Sequence, residues 1–368
     1  MDPTVAVAGE PPRQVRTEKK KLVRRSVPER SQKVRRWAQG LFVLLNGWLG
    51  IQFYLWVRYY ERGGTGLYVP RPAGAEGWLP IAGLMNLKSF ALTGQVPAIH
   101  PAAMFLFSAF LLMSILLKKA FCSWLCPVGT FSEILAAVGR RMFGRNLHLP
   151  KWADVSLRSL KYILLGFFVA VIGAMSAETL AGFMNTPYGL LADVKMLNFF
   201  RDVSLTAAVV LGLLVVLSMV VQGFWCRYLC PYGALMGLAS LLSPVKIRRD
   251  AEACIDCGKC AKACPASLKV DRLVQIRSVE CTACLECVAV CSAENALQFA
   301  LPARKAPTPA QRWNRRALSP MAVACVIAYL FFGIVLYARA TNHWKTELPR
   351  EVYLRLVPHA NELSHPGM

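Results

Sequence analysis

Apolar residues dominate five stretches of the chain, 37–57, 100–118, 162–182, 203–222 and 319–338. Each is long enough and poor enough in charge to be expected to cross about 30 Å of hydrocarbon as a helix. Residues 77–94, GWLPIAGLMNLKSFALTG, are also apolar but carry Pro80, Gly83 and Lys88. These interruptions predict an interfacial or re-entrant segment rather than a sixth span. The sequence of span, loop, span and Cys-x-x-x-Cys-Pro-x-Gly occurs twice, as FCSWLCPVGT from 121 and WCRYLCPYGA from 225, which reads as an internal repeat.

Of the 368 residues, 55% are hydrophobic and 17% charged, which excludes an ordinary soluble domain. A net charge of +22 could indicate nucleic acid, but in a membrane chain the placement of charge matters more than its sum, and no nucleic-acid partner is expected. Residues 13–36 hold eleven Lys or Arg against two Glu, and 118–161 hold eight against two. Arg304, Lys305, Arg312, Arg315 and Arg316 crowd a further linker, while 58–99 and 183–202 are nearly balanced. The positive-inside rule then predicts a bacterial inner-membrane, multi-pass protein with its N-terminus in the cytoplasm and its C-terminus in the periplasm. The first apolar segment follows a basic tail and precedes no small-residue cleavage site, so it is read as a retained span.

The predicted organisation is a basic cytoplasmic tail (1–36), a four-span membrane domain (37–245), a cysteine-rich domain (246–302), a basic linker (303–318), a fifth span (319–338) and a periplasmic tail (339–368). The basic tail is expected to be disordered against anionic headgroups.

CIDCGKCAKACP from 254 and CTACLECVAVCS from 281 share the spacing Cys-x-x-Cys-x-x-Cys-x-x-x-Cys of bacterial ferredoxins with two [4Fe-4S] clusters. Three thiolates of one loop take three corners of a cubane, and the fourth cysteine reaches the neighbouring cluster. One cluster is therefore expected on Cys254, Cys257, Cys260 and Cys291, and the other on Cys281, Cys284, Cys287 and Cys264. Zinc sites of four cysteines come as two separated pairs, and cytoplasmic thiols stay reduced, so both alternatives fit less well. The second copy ends Cys291-Ser292 where Cys-Pro is usual, which removes a helix stop but no ligand.

These motifs, with IHPAAMFLF, KKAFCSWLCPVGTFSE and FWCRYLCPYGALMG, resemble the membrane polyferredoxins of the NapH and YccM type, the quinol-oxidising membrane components of respiratory systems, over about 71–300. The membrane half of the nitrous-oxide reductase regulator is similar, and a copper-reducing oxidase assembly factor more distantly so. The fifth span departs from the four-span NapH pattern, and no flavin-attachment domain precedes the first span.

Composition, spacing and resemblance together define an α-helical integral membrane protein with a small α+β two-cluster ferredoxin domain. The resemblance implies electron transfer between the quinol pool, with quinol as substrate, and a periplasmic or membrane redox partner. Whether the chain is itself an enzyme or only the electron-carrying component of one is open. Two alternatives stand beside it: a copper-handling or copper-reducing assembly factor, and a redox-sensing regulator.

Cys122, Cys126, Cys226 and Cys230 form a possible redox or metal site. In a continuous helix the members of each pair sit about 5–6 Å apart, too wide for a disulfide, but Pro127 and Pro231 favour a break. A thiol relay, a bound metal and simple packing all remain as readings. His100 and Glu178 are candidates for meeting a quinol, since an ionisable group at a membrane edge can take its proton. Glu133 is expected at the inner surface, and Cys325 in the fifth span as an apolar filler. Lys246, Arg248, Arg249, Lys259, Lys262, Lys269 and Arg272 flank the clusters and could tune them or dock an acidic partner. The chain has no Cys-x-x-Cys-His, paired intramembrane histidines or Gly-x-Gly-x-x-Gly, so haem and nucleotide domains are not expected.

Overall fold

A computed structural model describes residues 23–25, 29–147, 149–302 and 316–365. The linker expected at 303–318 therefore lies outside the described residues up to 315, as does most of the basic tail.

Helix α1 (Ser31–Glu61) opens the described helical part, so the last residues assigned to the tail are helical. Helix α2 (Pro80–Thr93) starts on a proline at its first turn and ends at Gly94 in the left-handed region, which lets the chain turn back. It packs against α3 (Pro101–Leu117) as a hairpin; a Cβ on Gly83 would stand 2.8 Å from the Ala103 carbonyl, so glycine allows the close approach. Short α4 (Ala120–Trp124) and longer α5 (Pro127–Phe143) carry the first cysteine pair. Helix α6 (Lys151–Ala174) follows, then α7 (Ala177–Met184), α8 (Pro187–Leu190), α9 (Ala192–Arg201) and α10 (Leu205–Val220). A π-turn at Trp225–Leu229 and α11 (Pro231–Ala239) carry the second pair.

Beyond it, β1 (Lys246–Arg249) pairs antiparallel with β2 (Leu297–Ala300), with Lys246 opposite Ala300 and Arg249 opposite Leu297. Helices α12 (Lys259–Lys262) and α13 (Glu286–Ala289) lie between them in sequence. Helix α14 (Pro320–Ala340) and the short α15 (Arg350–Leu356) close the chain.

Helices α1, α6 and α14 are each long and apolar enough to cross a membrane, and α9 with α10, bent by 81°, passes the same test as a pair. Helix α3 fills the second predicted stretch with 17 residues. The third stretch, read as 162–182, is shorter at its end than expected. Helix α6 stops at Ala174, and the Ser176 hydroxyl accepts from the Thr179 N–H to start α7 as a separate helix. Trp37, Leu44 and Trp48 on α1, Phe167 on α6, Leu205 on α10 and Tyr329 on α14 are all exposed, an apolar belt that only lipid covers favourably.

The cysteine-rich domain does not hang from a flexible stalk. Ile247, Val270, Ile276, Leu297 and Phe299 belong to the same buried cluster as Phe110, Phe121, Trp124 and Met236 of the helical part. Residues 23–25, expected to lie free against lipid, instead pair with the far edge of this domain. Arg25 N donates to Ser292 O at 3.1 Å, Glu294 N to Val23 O at 2.9 Å, and Arg25 Nη1 to Val288 O at 3.1 Å.

Candidate iron–sulfur and thiol centres

Within the cysteine-rich domain the two loops have the same backbone shape. Asp256 and Ala283, two residues after the first cysteine of each loop, have φ of 55° and 51°; Gly258 and Leu285, four residues after it, have 68° and 60°. Left-handed residues at matched positions curl each loop on itself, and a leucine accepts that conformation only where the surroundings enforce it. Cys281, Cys284, Cys287 and Cys264 line one small cavity with Pro265, Leu268 and Ile276. Cys254, Cys257, Cys260 and Cys291 lie within electrostatic reach of each other on the other side of the domain.

The two groups differ in exposure: Cys281, Cys284 and Cys287 are buried, whereas Cys257 is exposed. Burial pushes the Cys284 thiol up to about 12, so without a metal it stays protonated at physiological pH. Two sets of four soft sulfur donors, each crossing between loops, fit two cubanes.

The Cys-x-x-x-Cys-Pro segments break their helices in the same way. The Phe121 carbonyl accepts from both Leu125 N and Cys126 N, and the Trp225 carbonyl from Cys230 N, so each motif closes with a five-residue turn. Cys126 and Cys230 are extended (ψ 118° and 104°) and cap the helices that begin at Pro127 and Pro231. The Gly233 N–H donates to Cys230 Sγ at 3.2 Å, and Gly129 holds the matching position after Cys126.

Glycine is required at Gly129, because a Cβ there would stand 2.2 Å from the Cys122 carbonyl. All four of these cysteines face one cavity and act electrostatically on one another. Lys119 stands with them, 4% exposed. Burial disfavours its ammonium, but Cys122, Glu280, Cys230 and Cys226 outweigh that and raise its pKa.

The thiol cluster abuts the buried ferredoxin set through the backbone. Ser123 Oγ donates to Thr282 O at 2.6 Å and Trp124 Nε1 to Ala283 O at 3.1 Å, both carbonyls lying between Cys281 and Cys284 in sequence. Arg35 fixes α1 to the same region, 2.6 Å from Glu133 and 3.0 Å from Glu286. Lys161 Nζ is 2.7 Å from Glu280, beside Cys281.

The shared cavity is large, about 1050 Å³. At the ferredoxin end it is walled by the four cysteines, Lys119, Glu133, Glu280 and Thr282; in its middle by Phe110, Phe331 and Val335; at the far end by Gln52, Arg71, Trp344 and Lys345. Behind Arg71 lies a closed ionic network. Arg71 reaches Glu76 at 2.8 Å and Asp193 at 2.6 Å, and Thr346 Oγ1 donates to Glu76 at 2.9 Å.

His100 belongs to this network and is fully buried, its Nδ1 3.3 Å from Glu76 and its Nε2 3.0 Å from the Gly189 carbonyl. It stands behind the cavity wall. Glu178 is exposed in the first turn of α7, and the structure does not bring it together with His100. Despite burial, Arg71, with hydrogen bonds from His100 and Thr346, holds the Glu76 carboxyl at about 2.

Sequence reasoning missed Arg71, Glu76 and Asp193. The signal was a balanced set of charges in segments that had been weighed only for their sum. It also missed Lys119, counted only as part of a basic loop. Of the flanking basic residues, Arg248 is buried and bonds Gln275 and Ala300, so it holds the domain together, while Lys259, Lys262, Lys269 and Arg272 are exposed. Cys325 is exposed on α14 among the residues of the apolar belt.

A helical membrane protein with a two-loop cysteine-rich domain is thus the class defined by the fold and site. A family described as a 4Fe-4S binding domain matches residues 99–146 and again 203–250, and one described as a 4Fe-4S dicluster domain matches 246–292. The chain is 48% identical to the electron transport protein YccM of Escherichia coli over 331 residues, 90% of this chain and 91% of YccM, and it belongs to that family. The ferredoxin-type protein NapH of Escherichia coli is 28% identical over 57% of this chain and 71% of its own length. The regulatory protein NosR of Pseudomonas aeruginosa is 30% identical over 50% of this chain and 25% of its own. No solved structure matches the chain.

Proposed function

We propose that the protein is an inner-membrane iron–sulfur electron carrier, with its ferredoxin domain in the cytoplasm, exchanging electrons between the quinol pool and a redox partner. The observation that carries this reading is the position of the buried ferredoxin set. Its Thr282 and Pro265 form part of the wall of a cavity between the helices that is large enough for a quinol headgroup and part of its tail. Two [4Fe-4S] clusters supply one-electron transfer when bound on Cys254, Cys257, Cys260 and Cys291 and on Cys281, Cys284, Cys287 and Cys264.

The exposed Cys257 makes the first set the meeting point with a soluble partner, and the buried second set the meeting point with the membrane. Helix α3, at 1.5 Å per residue, separates His100 from the ferredoxin end by about 25 Å. Electron transfer weakens steeply with distance, so the headgroup belongs at the ferredoxin end. There Glu133, paired with Arg35, and Glu280, paired with Lys161, are the carboxylates that face the cavity, and Glu133, half-exposed, is the one offered as acceptor for a proton that a quinol releases. The likeness to the electron transport protein YccM and to the ferredoxin-type protein NapH supports an electron-transfer role.

The test is anaerobic mixing of the purified protein with reduced ubiquinol and menaquinol analogues, following the clusters by EPR. The expected result is equilibration of cluster signals with the quinol. Clusters reducible by dithionite but inert to both quinols would sink the quinol assignment. A second reading, copper handling, is favoured by the four soft thiols at one end of the cavity. It requires Cys122→Ser to lower bound copper while leaving quinol exchange unchanged.

A further inference from the structure

We propose that the two Cys-x-x-x-Cys-Pro turns together hold a single iron–sulfur cluster, with Cys122 and Cys126 as ligands from one copy of the repeat and Cys226 and Cys230 from the other. Each matched 4Fe-4S segment, 99–146 and 203–250, contains two cysteines only. A cluster of two or four irons takes four protein sulfurs. Neither copy can complete such a site, whereas the pair supplies the full set, and the fold brings all four to one wall of one cavity.

The local construction suits a ligand. Each turn ends with its second cysteine at the start of a helix, and at Cys230 the Gly233 N–H donates to the sulfur; such a donor orients a thiolate ligand and tunes its metal. Lys119 is buried, and its Nζ comes within 3.4 Å of where a Gly233 Cβ would stand, beside Cys230 Sγ. Four thiolates around a cluster core carry net negative charge, and the Lys119 ammonium on the same cavity wall offsets it. Ser123 joins the thiol tetrad through Thr282 to the buried ferredoxin set, so the cluster stands between that set and the cavity.

The inference rests on the iron–sulfur carrier reading, and the two fail separately. The full chain, purified anaerobically, is expected to contain about 10 to 12 irons with matching acid-labile sulfide, against about 8 for the ferredoxin clusters alone. Cys122→Ser and Cys226→Ser should each return the count to about 8 with both ferredoxin EPR signals intact, and the double variant should lose no more than either single one. About 8 irons in the unaltered protein, stoichiometric zinc or copper on the tetrad, or additive losses in the double variant overturn the shared cluster and leave the carrier reading standing. A preparation without iron or sulfide overturns both. The count on the unaltered protein decides even where a variant fails to accumulate.

Discussion

The two ends of the long cavity both bury charge, yet they use it differently. At the far end Arg71, Glu76, Asp193, His100 and Thr346 are closed on one another, and only Arg71 reaches the cavity wall. At the ferredoxin end Lys119, Glu133 and Glu280 all line the cavity beside four thiols. Buried ion pairs that satisfy each other fix a geometry, whereas groups that keep a face towards an open space can exchange protons or balance a bound charge. The far end reads as a clamp joining the 71–76 segment, α3, α9 and the C-terminal segment, and the ferredoxin end as the place for chemistry.

The sharpest way to break that contrast is Arg71→Ala. It takes the guanidinium from Glu76 and Asp193, buried carboxylates 0% and 1% exposed, and should cost about 3–5 kcal/mol in detergent unfolding while sparing iron content. A variant of wild-type stability would show the network to be no clamp. At the other end Glu133→Gln takes one of two carboxylate partners from the buried Arg35, and should cost about 1–3 kcal/mol while slowing quinol exchange about 10- to 100-fold, as loss of a positioned proton acceptor does. Unaltered exchange would transfer that role to Glu280 or to water.

Gly129→Ala and Gly233→Ala compare the two cysteine turns directly. The first drives a methyl group into the Cys122 carbonyl and should destabilise by about 1–3 kcal/mol, with loss of any metal there. The second meets Lys119 Nζ at 3.4 Å and Cys226 O and Cys230 Sγ at 3.6 Å, ordinary contact distances, and should cost well under half as much. Equal effects would mean that the turns are not built as they are described. The smallest effect expected is that of pH on the clamp. Glu76 has a depressed folded pKa, so its contribution is complete above its ordinary value of 4.5 and is lost as pH falls towards 2. Thermal unfolding of a Glu76→Gln variant against wild type should therefore differ by an amount that shrinks as pH falls from about 4.5 towards 2.

The ferredoxin end was far more legible in the sequence than the far end, for a physical reason. Cluster ligands must come from short loops at fixed spacing, so Cys254 to Cys291 announce themselves. The Cys-x-x-x-Cys-Pro copies were visible too, and the expected break before Pro127 and Pro231 is what the five-residue turns deliver. Convergence of the two copies on Lys119 required tertiary structure. A salt-bridge network has no spacing rule: Arg71 and Asp193 are 122 residues apart, and nothing local marks either as buried. The end of α6 was hidden because Ala177 to Met184 remain apolar; the Ser176 cap stops one helix and starts another without any change in hydropathy.

The strap formed by residues 23–25 bears on how the molecule is made. Its contact from Arg25 to Val288 spans 263 residues, so the strap leaves the ribosome long before its partner exists. The cysteine-rich domain can close over its N-terminal edge only after the first helices have been inserted and most of the chain translated. Loops joined over such separations form slowly. Cofactor loading therefore has a natural window before the strap seats, and a tag or truncation that disturbs residues 23–25 would be felt in the maturation of the protein rather than in its passage into the membrane.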